Sequence, residues 1–296
     1  MPSILDLIGN TPLVEISRVI DVPRGVTVYG KLEGQNPGGS VKDRAAYGMI
    51  KGALDRGELQ PGQRLVEATS GNTGIALAMI AQLFDIPITL IMPNNATEER
   101  VHTMKAYGAE VILTAAEKTI EYSRAYAQQL VDERGYLMLN QFGNDDNWRM
   151  HYRTTGPEIW RDTDGAITHF VSSMGTTGTI MGVSRYLKEQ NPDVEIVGVQ
   201  PTDGSSIPGI RRWSQEFLPA IFDASRVDRV IDVSQTQATQ MARRLGREEA
   251  IFSGMSSGGA VTAAGQLIEQ TGMTEGVIVC IICDRGDRYL SSGIFG

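Results

Sequence analysis

Asn36-Pro37-Gly38-Gly39-Ser40-Val41-Lys42-Asp43-Arg44 joins a strand-like stretch, residues 26–32, to a helical one, residues 45–54. A lysine in the first turn of a helix faces the partial positive charge of the helix N-terminus, so its ammonium form is disfavoured there. Ser40 and Asp43 have the S-x-x-D spacing of a capping box, which would fix the helix start and hold the cation in a defined position. A lysine so placed suits Schiff-base chemistry.

Working outward, short β-branched runs alternate with amphipathic segments. The spacing predicts strands over 64–67, 88–92, 110–113, 137–141, 169–172, 195–199, 229–233 and 277–282, and helices over 74–84, 98–107, 119–133, 178–189, 235–245 and 258–270. Gly108, Gly135 and Gly272 fall where helices would close. This rhythm is that of an α/β fold, with parallel sheets covered by helices on both faces. Residues 146–160 read as two helices or one kinked helix, because Gly156-Pro157 interrupts them, and as a connection between domains. No repeat or low-complexity segment is present.

With 296 residues the chain is long enough for about two domains. Its 27 basic and 35 acidic residues give a net charge of −8 without a compensating basic run, which argues against nucleic acid or an anionic membrane as partner. Residues 1–10 lack the basic region and apolar core of a signal peptide, and no run approaches the roughly 18 apolar residues of a membrane span. The two cysteines, Cys280 and Cys283, sit in the apolar run Val277-Ile278-Val279-Cys280-Ile281-Ile282-Cys283 and read as buried strand thiols, consistent with the cytoplasm. His102, His151 and His169 have no metal-ligand spacing, so no metal is expected.

Three further turns each follow a strand, consist of Gly, Ser and Thr, and open a helix, at the strand ends where α/β folds bind ligands. Thr69-Ser70-Gly71-Asn72-Thr73-Gly74 suits a carboxylate, or is a capped turn only. Ser173-Met174-Gly175-Thr176-Thr177-Gly178-Thr179 suits a phosphate monoester. It lacks the Gly-Lys-Ser/Thr of a Walker A loop, while Gly175, Gly178 and Gly182 leave a dinucleotide turn open. Gly254-Met255-Ser256-Ser257-Gly258-Gly259 either caps its helix or meets a ligand nitrogen.

Together these four motifs resemble the fold-type II pyridoxal-phosphate enzymes, specifically the cysteine synthases (O-acetylserine sulfhydrylases). The resemblance runs from Ile8-Gly9-Asn10-Thr11-Pro12-Leu13 to Arg288-Tyr289-Leu290-Ser291. It is nearest to the B-type branch in the 170–179 segment, in Gly204-Ser205-Ser206-Ile207-Pro208-Gly209-Ile210-Arg211-Arg212-Trp213, and in Ile282-Cys283-Asp284-Arg285-Gly286-Asp287-Arg288-Tyr289. The resemblance implies a tryptophan synthase β-like α/β fold: two three-layer αβα domains with the cofactor between them. A large domain would comprise 1–34 and 145–296, and a small mobile domain 35–144. Pyridoxal 5'-phosphate would be bonded to Lys42 as an imine, with Asn72 at its phenolic oxygen, Gly175, Thr176, Thr177, Gly178 and Thr179 at its phosphate, and Ser256 at its ring nitrogen. Thr69, Ser70, Gly71, Asn72, Thr73 and Gln141 would hold the substrate carboxylate.

The implied reaction is β-replacement on O-acetyl-L-serine through an α-aminoacrylate, with sulfide or thiosulfate as sulfur donor. Arg211 is the first candidate to meet thiosulfate and Arg212 the second, while Cys283 and Asp284 would widen and hydrate the pocket. A homodimer is implied, with association to a serine acetyltransferase left open, and the family leads one to expect a slightly longer C-terminal tail. The alternatives are an A-type or cystathionine β-synthase-like enzyme, a serine or threonine dehydratase, and a non-catalytic phosphate-binding regulator.

Overall fold

The computed structural model describes residues 3–69 and 71–296, Thr119 by its backbone alone. In chain order the elements are β1 (Leu13–Glu15), β2 (Gly25–Leu32), α1 (Lys42–Asp55), β3 (Leu65–Ala68), α2 (Asn72–Leu83), β4 (Ile88–Pro93), α3 (Glu98–Ala106), β5 (Glu110–Thr114), α4 (Thr119–Arg134), α5 (Asp145–Arg153), α6 (Thr155–Asp162), β6 (His169–Ser173), α7 (Gly178–Gln190), β7 (Glu195–Pro201), β8 (Arg229–Val233), α8 (Gln235–Glu248), α9 (Met255–Thr271) and β9 (Glu275–Ile282).

Two sheets result. One has the order β1-β2-β9-β6-β7-β8 and the other β3-β4-β5, and every pairing is parallel except that of β1 with β2. Parallel strands are covered on both faces, and all six residues of β4 are accordingly buried. In the small sheet, Met49, Ile50, Leu77 and Ile80 of α1 and α2 pack on one face; Ala127 and Leu130 of α4 pack on the other, against Val66 and Ile91. In the large sheet, Ala260, Val261 and Leu267 of α9 cover one face, and Ile159, Ile180 and Met181 of α6 and α7 the other. Each buried aliphatic side chain contributes about 1.5–3 kcal/mol. The architecture is thus the expected pair of three-layer αβα units. No helix among the described residues is long and apolar enough to cross a membrane.

Two sequence expectations are corrected, the strand over 137–141 and the capping box of α1, while the reading of 146–160 as two helices holds and one short strand was missed. Residues 137–141 form no strand: Leu137 makes a single bridge to Leu65, and Asn140, at φ +52°, turns the chain out of extended geometry. The three-residue β1 was too short to leave a periodic signal. The helix over 146–160 breaks at Thr154, before Gly156-Pro157, and Pro157 then lies in the first turn of α6, where its missing N–H is tolerated. The capping box is absent from α1. Ser40 Oγ accepts from the Lys42 N–H at 3.2 Å, and the Asp43 carboxylate turns to the Gly38 N–H at 2.5 Å.

Behind the head of α1 lies a buried ionic network. The Arg44 guanidinium donates to both oxygens of Glu33, at 2.7 and 2.8 Å, and to both of Glu158, at 2.6 and 2.8 Å. Lys31 adds a contact of 2.9 Å to Glu158. One side chain thereby ties α1 to the end of β2 and to α6.

Candidate active site

A cavity of about 240 Å³ opens between the two sheets at their C-terminal strand ends, lined by residues from all four motifs. Lys42, half-buried, is the first residue of α1 and lines it. The chain before it is laced to the segment after β9. The Val41 N–H donates to the Cys283 carbonyl at 2.8 Å, Ser40 bridges Asp284, and the Arg285 N–H donates to the Gly39 carbonyl at 3.3 Å.

Thr69, Gly71, Asn72 and Thr73 form one wall, where α2 begins; Ser70 lies outside the described residues. The Thr73 hydroxyl donates to Gln141 Oε1 at 2.8 Å, so Gln141 reaches the cavity although it is not on a strand. Asn72 Nδ2 donates to Asp284 at 2.6 Å, leaving Asn72 Oδ1 buried without a partner.

On the opposite wall, Gly175, Thr176, Thr177 and Thr179 present the turn that opens α7, which Gly178 begins. Thr177 holds φ +69°, an uncommon conformation for a threonine, and its Oγ1 is buried and unpartnered. A Cβ on Gly175 would run into the Gly209 carbonyl oxygen. The turn therefore offers helix N-terminal N–H groups, the unpartnered Thr177 hydroxyl and close backbone approach, which fit a phosphate. Ser256 lies in the first turn of α9 and lines the same cavity. No cluster of His, Cys, Asp or Glu among the described residues could hold a metal.

Asp284 lines the cavity but is not a loose polar group there. It is buried and held by Asn72, by the Tyr289 hydroxyl at 2.6 Å and by the Gly254 N–H at 3.2 Å. Arg212 is likewise engaged elsewhere, with Asp232, with Asp203 at 3.2 Å and with the Pro201 carbonyl at 2.8 Å. Arg211 lines the cavity and is exposed. Burial pushes the Cys283 thiol up to about 11 and that of fully buried Cys280 to about 12, so neither is a thiolate at neutral pH. Buried His151 contacts Thr155 Oγ1 at 2.9 Å and Thr179 Oγ1 at 3.3 Å; desolvation and the nearby Arg44 charge lower it to about 3, so a neutral imidazole backs the 175–179 turn.

Two arginines lining the cavity had no sequence signal. Arg100 of α3 lies 5.0 Å above the Tyr289 ring, and Arg124 of α4 lies 5.1 Å above that of Phe142. The lining thus carries Lys42, Arg100, Arg124 and Arg211 against the single carboxylate of Asp284, in a chain of net charge −8. Such a field selects anionic ligands.

Next to Lys42, burial pushes the Asp43 carboxyl up to about 7, despite its bond from Gly38 and the charge of Arg288. An acid with a raised folded-state pKa stabilises the fold below its unfolded value, and that stability is lost as pH rises through the folded value. Asp43→Asn should therefore flatten the loss of stability between pH ~4 and ~7 in urea melts. An unchanged pH slope would show that Asp43 is ionised in the fold.

Residues 4–284 match the "Pyridoxal-phosphate dependent enzyme" family. The chain is 59% identical to cysteine synthase B of Pseudomonas aeruginosa over 294 residues, covering 99% of this chain and 97% of that one. It is 56% identical to cysteine synthase B of Escherichia coli over 296 residues, covering 100% and 97%. A crystal structure of cysteine synthase from Entamoeba histolytica superposes with a TM-score of 0.94 at 36% identity, covering 100% of this chain and 90% of that one.

Proposed function

The chain belongs to the pyridoxal-phosphate dependent enzymes, in their cysteine synthase group, and from that premise we propose that it replaces the acetoxy group of O-acetyl-L-serine with a sulfur nucleophile. Sulfide would yield L-cysteine and thiosulfate S-sulfocysteine. The supporting observation is the placement of Lys42 in one cavity with two anion-binding turns and Ser256.

The 175–179 turn would hold the cofactor phosphate, Ser256 the ring nitrogen, and the second N–H of Asn72 the phenolic oxygen. Pyridoxal 5'-phosphate supplies, when bound, the electron sink that acidifies the substrate α-proton. The Lys42 amine would take that proton as acetate leaves and return it once sulfur has bonded to the β-carbon. Backbone N–H groups of 69–73, with Gln141, would fix the substrate carboxylate and so orient the α-C–H bond. A neutral hydroxyl at Ser256 would stabilise a protonated ring nitrogen less than a carboxylate would, which would favour elimination.

Residues 35–144 would act as a small domain closing on 1–34 and 145–296 when the carboxylate binds, excluding water. The enzyme would work as a homodimer in the cytoplasm; affinity for a serine acetyltransferase is measured by co-purification.

The test is product analysis. Purified enzyme is supplied with O-acetylserine and either sulfide or thiosulfate, and the amino-acid product is identified by mass. Pyruvate release without a sulfur donor would identify a dehydratase, and turnover with homocysteine a cystathionine β-synthase-like enzyme. Thiosulfate is a dianion, so its binding should depend on Arg211. Arg211→Ala is expected to lower kcat/KM for thiosulfate about tenfold or more relative to sulfide, the range for a lost charged hydrogen bond. Equal losses for both donors would remove Arg211 from donor selection.

A further inference from the structure

Asn147, the third residue of α5, is 2% exposed and lies behind the cavity wall. Its Nδ2 donates to the Gln141 carbonyl at 2.8 Å and to Thr176 Oγ1 at 3.2 Å. A carbonyl oxygen only accepts, so the chemistry itself fixes the orientation of the amide. Thr176 Oγ1 also receives the Gly178 N–H, at 3.4 Å. A hydroxyl has two lone pairs and one hydrogen. With both lone pairs of Thr176 met by donors, its hydrogen remains to be given, and Thr176 lines the cavity. The same amide holds the backbone of Gln141, whose side chain accepts the Thr73 hydroxyl on the other wall. A Cβ on Gly178 would run into the Asn147 amide, so the glycine there permits this approach.

We propose that Asn147 is a positioning residue: it fixes the Thr176 hydroxyl as a donor toward the cofactor phosphate and ties the phosphate turn to the Gln141 segment. The inference rests on reading 175–179 as the phosphate cradle. Asn147 acts through Thr176 and touches neither cofactor nor substrate.

A double-mutant cycle on the apoprotein tests it. Dissociation constants are measured by fluorescence titration for pyridoxal 5'-phosphate and for pyridoxal, which lacks the phosphate. Both ligands can bond Lys42, so that contribution cancels in their ratio. Asn147→Ala should weaken pyridoxal 5'-phosphate relative to pyridoxal about tenfold or more. Thr176→Val should do at least as much, and the double variant no more than Thr176→Val, because both substitutions act on one hydroxyl. Asn147→Leu keeps a similar volume without the donor and without a charge and should match Asn147→Ala, which covers the case of an unstable alanine variant. Additive losses, or equal weakening of the two ligands, would overturn the proposal. If the wild-type protein itself does not prefer the phosphorylated ligand, the phosphate-cradle reading falls and the inference with it. A normal wild-type preference that the Asn147 variants leave intact sinks the inference alone.

Discussion

Replacing Lys42 with alanine is expected to lower turnover of O-acetylserine about 10³-fold or more and to abolish covalent retention of the cofactor. The lysine would do two jobs, anchoring the cofactor and carrying the α-proton. Positioned proton transfer alone is worth about 10²–10⁴-fold. Its neighbours make substitution by another base ineffective. Asp43 points to Gly38, Cys283 is held as a thiol, and Asp284 is taken up by Asn72, Tyr289 and Gly254. Borohydride reduction followed by peptide mass analysis provides a readout independent of rate. The wild-type peptide containing Lys42 should gain the mass of the reduced cofactor, and the variant should gain none. Retained labelling elsewhere in the chain, or a rate loss below tenfold, would mean that another residue carries the chemistry.

Arg44→Met is expected to destabilise the protein by about 3–5 kcal/mol at neutral pH, because it leaves Glu33 buried with hydrogen bonds from Thr11 and Asn36 but no cation, and Glu158 with Lys31 alone. Such a network need not be stabilising overall; the penalty lies in breaking one side of it. The pH dependence carries the sign. Burial alone would raise Glu158, but hydrogen bonds and charge from Arg44 and Lys31 hold it at about 2; Glu33 is lowered by Arg44 in the same way. In the wild type these groups therefore contribute stability that is present above their unfolded value of 4.5 and lost as pH falls toward 2. Without Arg44, burial dominates and the folded-state values rise above 4.5, so the variant recovers stability as pH falls from ~7 to ~5. Urea melts across that range should show the gap narrowing, and adding Glu158→Gln to Arg44→Met should restore part of the loss at pH 7. A gap that is constant with pH, or smaller than about 1 kcal/mol, would contradict the network's geometry.

The legible parts of this protein were those encoded locally. Parallel strands such as β4 are apolar on both faces, so continuous runs like Ile88-Thr89-Leu90-Ile91 declare themselves, and the Gly-Ser-Thr turns stand out against them. Leu137-Met138-Leu139 has the same composition, yet only Leu137 finds a strand partner, and nothing local separates it from a true strand. Ser40 and Asp43 had the right spacing for a cap, but the buried Gly38 N–H took the carboxylate instead. Arg44, Arg100, Arg124 and Asn147 were illegible because their meaning comes from elements far apart in sequence. Arg44 meets Glu158 across 114 positions, and Asn147 meets Thr176 across 29.

The pairing of β2 with β9 and the lacing of residues 39–41 to 283–285 also order events in time. At about 5–20 residues per second, a ribosome needs roughly 12–50 s to travel from Lys42 to Arg285. Throughout that interval Lys42 has been made but the segment that laces its loop in place has not been completed. The small sheet, β3-β4-β5, is complete by Thr114 and can form early, whereas the cavity waits for β9, the last strand. If Lys42 carries the cofactor, chains released before residue 285 would lack the segment that laces its loop in place, and cofactor loading would wait for the finished chain.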